Sequence, residues 1–76
     1  MSDGLPVLKA KEIIRILEKS GFYIHHQTGS HVQMKHREKL HLRITIPFHN
    51  KDIPKPVLFS ILKQAELTLN EFNQLR

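Results

Sequence analysis

Apolar residues along this chain change their spacing twice. From Leu8 to Lys19, Ala10, Ile13, Ile14 and Leu17 recur at i, i+3, i+4 and i+7, with Leu8 and Ile16 beside them. That is the stripe of an amphipathic helix. Lys9, Lys11, Glu12, Arg15, Glu18 and Lys19 form its wet face, and Ser20-Gly21 supplies a C-terminal stop. The spacing then shifts to period two. Leu40, Leu42, Ile44 and Ile46 alternate with His41, Arg43 and Thr45, which predicts a strand over Leu40–Ile46 ended by Pro47. Two weaker alternations, Phe22–Gln27 and His31–His36, predict strands before it, with Phe22, Ile24, His26, Val32 and Met34 facing inward. Helical spacing returns in Val57, Leu58, Ile61, Leu62 and Ala65, with Pro54 and Pro56 suited to a first turn. Thr68 and Glu71 read as a capping box for a last short helix holding Leu69, Phe72 and Leu75. Residues 1–7 read as a flexible lead-in, and 48–53 as a polar loop.

The order predicts an α+β domain spanning 1–76, α-β-β-β-α with a short extra C-terminal helix. Its three-stranded antiparallel sheet is expected to carry helices on one face and leave the other wet. Register follows from keeping apolar residues on one side. A three-residue loop, Thr28-Gly29-Ser30, pairs Ile24 with Met34 and His26 with Val32. A loop at Arg37-Glu38-Lys39 pairs Met34 with Leu42 and Val32 with Ile44. The open face then carries three rows: Tyr23, Lys35 and His41; His25, Gln33 and Arg43; Gln27, His31 and Thr45.

Composition narrows the function. Twelve Lys and Arg stand against seven Asp and Glu, giving +5, with six His able to add charge below neutrality. A surplus of that size in so small a domain favours a polyanionic or acidic partner. No Cys is present, so neither a disulfide nor a thiolate zinc site can staple the fold. A core of this size is marginal, since such a domain buries only roughly 60% of its unfolded surface. No apolar run reaches the ~20 residues that cross a bilayer, and the opening residues lack a signal-peptide pattern. A cytoplasmic protein without membrane contact is expected.

Histidine is the one rich catalytic resource. Phosphate-binding Gly-rich loops, nucleophile elbows and paired-carboxylate motifs are missing. No metal or other cofactor is expected: His25 and His26 point to opposite faces of a regular strand, and His25 with His31 supplies too few ligands. His31 follows a constrained turn, Gln27-Thr28-Gly29-Ser30, which would hold its imidazole rigidly on the open face. An imidazole so held suits proton transfer near neutral pH. In the expected register, Gln27 and Thr45 would orient it, while Arg43 and Lys35 would stabilise charge on a phosphate. His26 reads as a partly buried core-face residue, and His36 and His41 as solvated residues flanking the second turn.

At these residues the chain resembles the HicA family of toxins, small mRNA interferases of toxin–antitoxin pairs. The resemblance runs from about Leu8 to Phe72. It rests on the order of Lys19-Ser20-Gly21-Phe22, Gly29-Ser30-His31, Pro47-Phe48-His49 and Leu58-Phe59-Ser60-Ile61-Leu62-Lys63-Gln64-Ala65. It implies a double-stranded-RNA-binding-domain-like fold. It also implies cleavage of RNA, specifically mRNA, by a single catalytic histidine that maps onto His31, and a HicB-like antitoxin that masks the toxin. His49 falls at a family-like loop position, where it would brace the loop or touch RNA or antitoxin. A non-catalytic RNA-binding module, or a domain that binds an acidic partner, are the other functions this surface would suit.

Overall fold

The computed structural model describes residues 5–76, so the first part of the lead-in, residues 1–4, lies outside the described residues. The elements run α1 (Ala10–Lys19), β1 (Phe22–Gln27), β2 (His31–His36), β3 (Arg43–Pro47), α2 (Lys55–Ala65) and α3 (Leu69–Leu75). The sheet is antiparallel in the order β1-β2-β3. This is the expected α-β-β-β-α pattern with its extra helix. α1 packs on β1 and α3, and α2 lies along β3. Ile13 and Leu17 of α1, Val32 and Met34 of β2, Ile44 and Ile46 of β3, Leu58 and Ile61 of α2 and Phe72 of α3 are almost wholly buried. The opposite sheet face leaves Gln33, Arg43 and Thr45 exposed, so one face is dry and the other wet.

Several helix ends follow local rules. Pro54 sits at the N-cap of α2 in extended backbone, with Pro56 in the first turn. Thr68 caps α3: its hydroxyl accepts from Glu71 N–H at 3.0 Å, and its own N–H donates to Glu71 Oε1 at 2.8 Å. That backbone bond, with the Thr68 side chain and Lys39 nearby, holds the Glu71 carboxyl below the usual glutamate range. The segment before α1 is anchored as well. Leu5 and Leu8 are buried, Ile53 N–H donates to Leu8 O at 2.8 Å, and Lys9 bridges to Asp52 at 3.0 Å. The loop over 48–53 is thus not wholly polar: Ile53 is in the core and Phe48 packs against it.

Two departures from the expected register matter for function. β3 begins at Arg43 rather than Leu40, and Met34 faces Ile44 while Val32 faces Ile46. The pairing is therefore shifted two residues from the expected Met34–Leu42 and Val32–Ile44. The connection is longer than three residues because His36 organises it. His36 is buried, not solvated. Its Nδ1 accepts the N–H groups of Glu38 (3.0 Å) and Lys39 (2.9 Å), so its Nε2 carries the proton and donates to Ser20 O at 2.8 Å. The ring meets Phe22 edge-on, with centroids 4.8 Å apart. It also lies over Gly21, which has φ +103°; a Cβ there would come within 2.7 Å of His36 Nε2. Gly21 is therefore required twice, by its left-handed backbone and by the imidazole.

The second departure is a bulge. Ile24 pairs with Met34 as expected, but His26 pairs with Gln33 and Gln27 with Val32. His25 is the extra residue. The turn itself is a two-residue loop at Gly29-Ser30, because Thr28 N–H donates to His31 O at 2.9 Å. A tight loop alone would slip Ile24 onto the wet side; the bulge returns it to the side of Met34, but at this edge of the sheet Ile24 is exposed and does not join the core as expected. His26 accordingly joins the open face rather than the core face, and Gln27 is carried to the core-side row.

Replacing His36 with Ala leaves one carbonyl and two N–H groups without a partner and opens a void beside Phe22. The expected loss is about 2–4 kcal/mol, a fall in Tm of about 10–20 °C. His41→Ala, which removes only an exposed 3.3 Å contact to Glu66, is expected to stay within about 0.5 kcal/mol. Denaturant unfolding of the two variants checks this; equal losses would contradict it.

Candidate functional site

The turn between β1 and β2 is built to present His31. Thr28 closes it twice: Thr28 Oγ1 accepts His31 N–H at 3.1 Å and also contacts His31 O at 3.3 Å. Ser30 O accepts Phe48 N–H at 2.8 Å, and His31 pairs with Pro47, so the exit of β3 clasps the turn from the other side. His31 itself is exposed. Its Nδ1 lies 3.0 Å from Ser30 Oγ, within hydrogen-bond distance. A serine hydroxyl both donates and accepts. Accepting from Nδ1–H, it leaves Nε2 of the neutral ring as a free base, and the same contact persists once Nε2 has taken up a proton. The ring thus stays oriented on both sides of a proton transfer.

The companions expected around His31 are redistributed by the two register changes. Thr45 lies opposite Gln33, not His31, and its N–H is taken by Gln64 Oε1 at 2.8 Å. Gln27 lies opposite Val32. Neither hydrogen-bonds to the His31 ring among the described residues. Arg43 is brought opposite Lys35, at the far end of β2. The two cations therefore form a pair of their own. Tyr23, opposite Lys35, has its ring covered by the Arg37 guanidinium, 5.2 Å from the centroid.

His49 moves the other way. Because Phe48 N–H binds Ser30 O, the next residue begins beside the His31 turn. His49 Nδ1 accepts Lys51 N–H at 3.2 Å, which braces the loop and leaves the proton on Nε2. One contributor was not evident from the residue pattern: Ser30 stood out as a turn residue but not as the partner of Nδ1. His25 lines the open face with Gln33 as expected, but as the bulged residue, with His26 taking its place opposite Gln33. Among the described residues no three His, Asp or Glu side chains gather as a metal ion would require. No helix among them is long and apolar enough to cross a membrane.

Among known protein families, the one described as HicA toxin of bacterial toxin-antitoxin matches residues 10–67, from the start of α1 to just past α2. No curated protein matches the chain.

The turn's rigidity rests on Thr28 and not on glycine. A Cβ at Gly29 would meet nothing within 4 Å, and its φ lies outside the left-handed region. Gly29→Ala is therefore expected to leave stability within about 0.5 kcal/mol or raise it slightly. Thr28→Val is expected to cost about 0.5–1.5 kcal/mol and to speed hydrogen exchange at His31 N–H. A larger loss for Gly29→Ala than for Thr28→Val would contradict this reading of the turn.

Proposed function

The chain belongs to the HicA toxin family, and from that premise we propose that it is an endoribonuclease that cleaves mRNA with His31 as its catalytic residue. A member of this family is the toxin of a toxin–antitoxin system. The partner proposed here is a HicB-like antitoxin that covers the His31 turn and the basic sheet face, and the compartment is the cytoplasm. The observation that supports the catalytic reading is the clamped, exposed imidazole with its Nδ1 on Ser30 Oγ. Rigid backbone on both sides keeps the ring in place without burying it.

The chemistry follows from one imidazole and a ribose. Nε2 of His31 takes the proton of a 2′-hydroxyl, and the 2′-oxygen attacks the adjacent phosphorus in line. The bond from 2′-oxygen to phosphorus forms as the bond to the 5′-oxygen breaks. The products are a 2′,3′-cyclic phosphate and a 5′-hydroxyl; the departing oxygen takes its proton from water. Only RNA carries the hydroxyl this route needs. No step calls for a metal ion. General base catalysis of this kind contributes roughly 10²–10⁴-fold, so a modest turnover is expected.

Induced expression in a bacterium tests the proposal. The wild-type chain is expected to arrest growth with mRNA decay, and His31→Ala to permit growth while accumulating as soluble protein. Purified His31→Ala is expected to cleave about 10²–10⁴-fold more slowly. Equal growth of both strains, with both proteins soluble, would contradict cleavage and favour RNA binding without catalysis.

A further inference from the structure

The bulged end of β1 and the shifted β3 flank a cavity on the open face. On the open face, His25, Gln33, Lys35, Arg43 and Thr45 line a concavity of about 240 Å³. That is room for roughly eight waters at ~30 Å³ each, enough for a phosphate with part of its sugar. Lys35 and Arg43 are direct cross-strand partners. Like charges placed opposite each other destabilise a sheet. Neither takes part in an ion pair among the described residues, where the two bridges are Lys9–Asp52 and His41–Glu66. No carboxylate lines the cavity.

Resting on the ribonuclease reading, we propose that this cavity is a phosphate subsite. It holds a phosphodiester of the same RNA strand whose scissile bond lies at His31. Arg43 offers a planar fork of N–H donors and Lys35 a point charge, the two complementary ways proteins hold phosphate oxygens. Gln33 and His25 add further polar groups to the lining. The location fits a continuous strand. His31, Gln33 and Lys35 lie on one face of β2, with His31 and Lys35 roughly 13 Å apart at ~3.3 Å per residue. That is the length of about four stacked nucleotides at ~3.4 Å each, or fewer if the strand is extended. An acidic protein partner is less well served, because the five open-face lining residues are all polar and offer no apolar anchor.

The other concavity of similar size gives a useful contrast. It is lined by Glu12 together with Arg15, Lys19 and Arg76, on the helical side of the molecule. There the cations are already mixed with a carboxylate, as on an ordinary wet helix face. Unlike it, the sheet-face cavity combines unmixed positive charge with a place on the His31 strand.

The test uses fluorescence anisotropy with a short labelled single-stranded RNA whose riboses are 2′-O-methylated, so that it binds without being cut by 2′-hydroxyl attack. For Lys35→Gln/Arg43→Gln, affinity at 0.1 M salt is expected to fall about 25-fold. The slope of log affinity against log salt is expected to shrink by about 0.7, the value for the one phosphate no longer neutralised. The control Lys11→Gln/Lys63→Gln removes equal charge from the helices and is expected to stay within about threefold of wild type. The cavity variant is expected to melt no lower than wild type, since the substitution relieves a like-charge pair. Binding by the cavity variant equal to the control would overturn the subsite while leaving the ribonuclease reading intact. No binding by wild type at about 50 mM salt would overturn both. Unchanged RNA affinity together with weakened binding of a polyglutamate peptide would overturn the subsite in favour of an acidic protein partner.

Discussion

The buried imidazole of His36 is the joint on which this small sheet depends. One ring accepts two N–H groups from the β2–β3 connection, donates its Nε2–H to the carbonyl of Ser20 that caps α1, and packs edge-on against the first residue of β1. Four parts of the chain are thereby set relative to one another by a single side chain. In a domain that cannot bury a large core, a satisfied polar contact of this kind fixes geometry that apolar packing alone leaves loose. The neutral tautomer is implicit in the arrangement, since a protonated ring would lose its acceptor nitrogen. Gly21 is the matching half of the joint, because only a residue without a Cβ leaves space for the ring.

That joint sets where the functional groups stand. By lengthening the connection, it fixes β3 so that Arg43 faces Lys35, Thr45 faces Gln33 and Pro47 faces His31. The exit of β3 then hydrogen-bonds to Ser30 and steadies the catalytic turn proposed here. At the outer edge of β3, Gln64 of α2 occupies the Thr45 N–H, which blunts an edge otherwise open to strand pairing. The helices thus support the sheet from one side and along one edge, and the charged face stays open. Its like-charge pair is a local cost in stability of the kind that binding sites carry.

Much of this was legible in the residues. The helical stripe of α1, the alternation in β3, the prolines before α2 and the Thr68–Glu71 box gave the element order. Register was legible only in part. Alternation distinguishes odd slips from even ones, since an odd slip turns every side chain over. A two-residue shift keeps each face intact, so Met34 opposite Leu42 and Met34 opposite Ile44 satisfy the pattern equally. The bulge at His25 escaped for a related reason: a two-residue loop and one extra residue cancel at Ile24 and differ only at His26 and Gln27. His36 was misread because a histidine at a strand end is usually solvated, and its burial depends on a glycine fifteen positions earlier, 36 − 21. Gln27 and Thr45 stand opposite Val32 and Gln33 rather than in one row with His31, because their positions depend on the register, whereas His31 follows its turn directly.

Attack by a ribose hydroxyl, assisted by His31, is the central step of the proposed chemistry, and one measurement addresses it directly. An RNA oligonucleotide cut by the purified protein is compared with the same oligonucleotide carrying a single 2′-deoxyribose on the 5′ side of the cut. This one substitution is expected to abolish cleavage at the bond while binding is retained, and the unmodified product is expected to end in a 2′,3′-cyclic phosphate. Cleavage of the deoxy-substituted bond at an undiminished rate would contradict the mechanism, because a water-derived nucleophile would then be attacking the phosphorus.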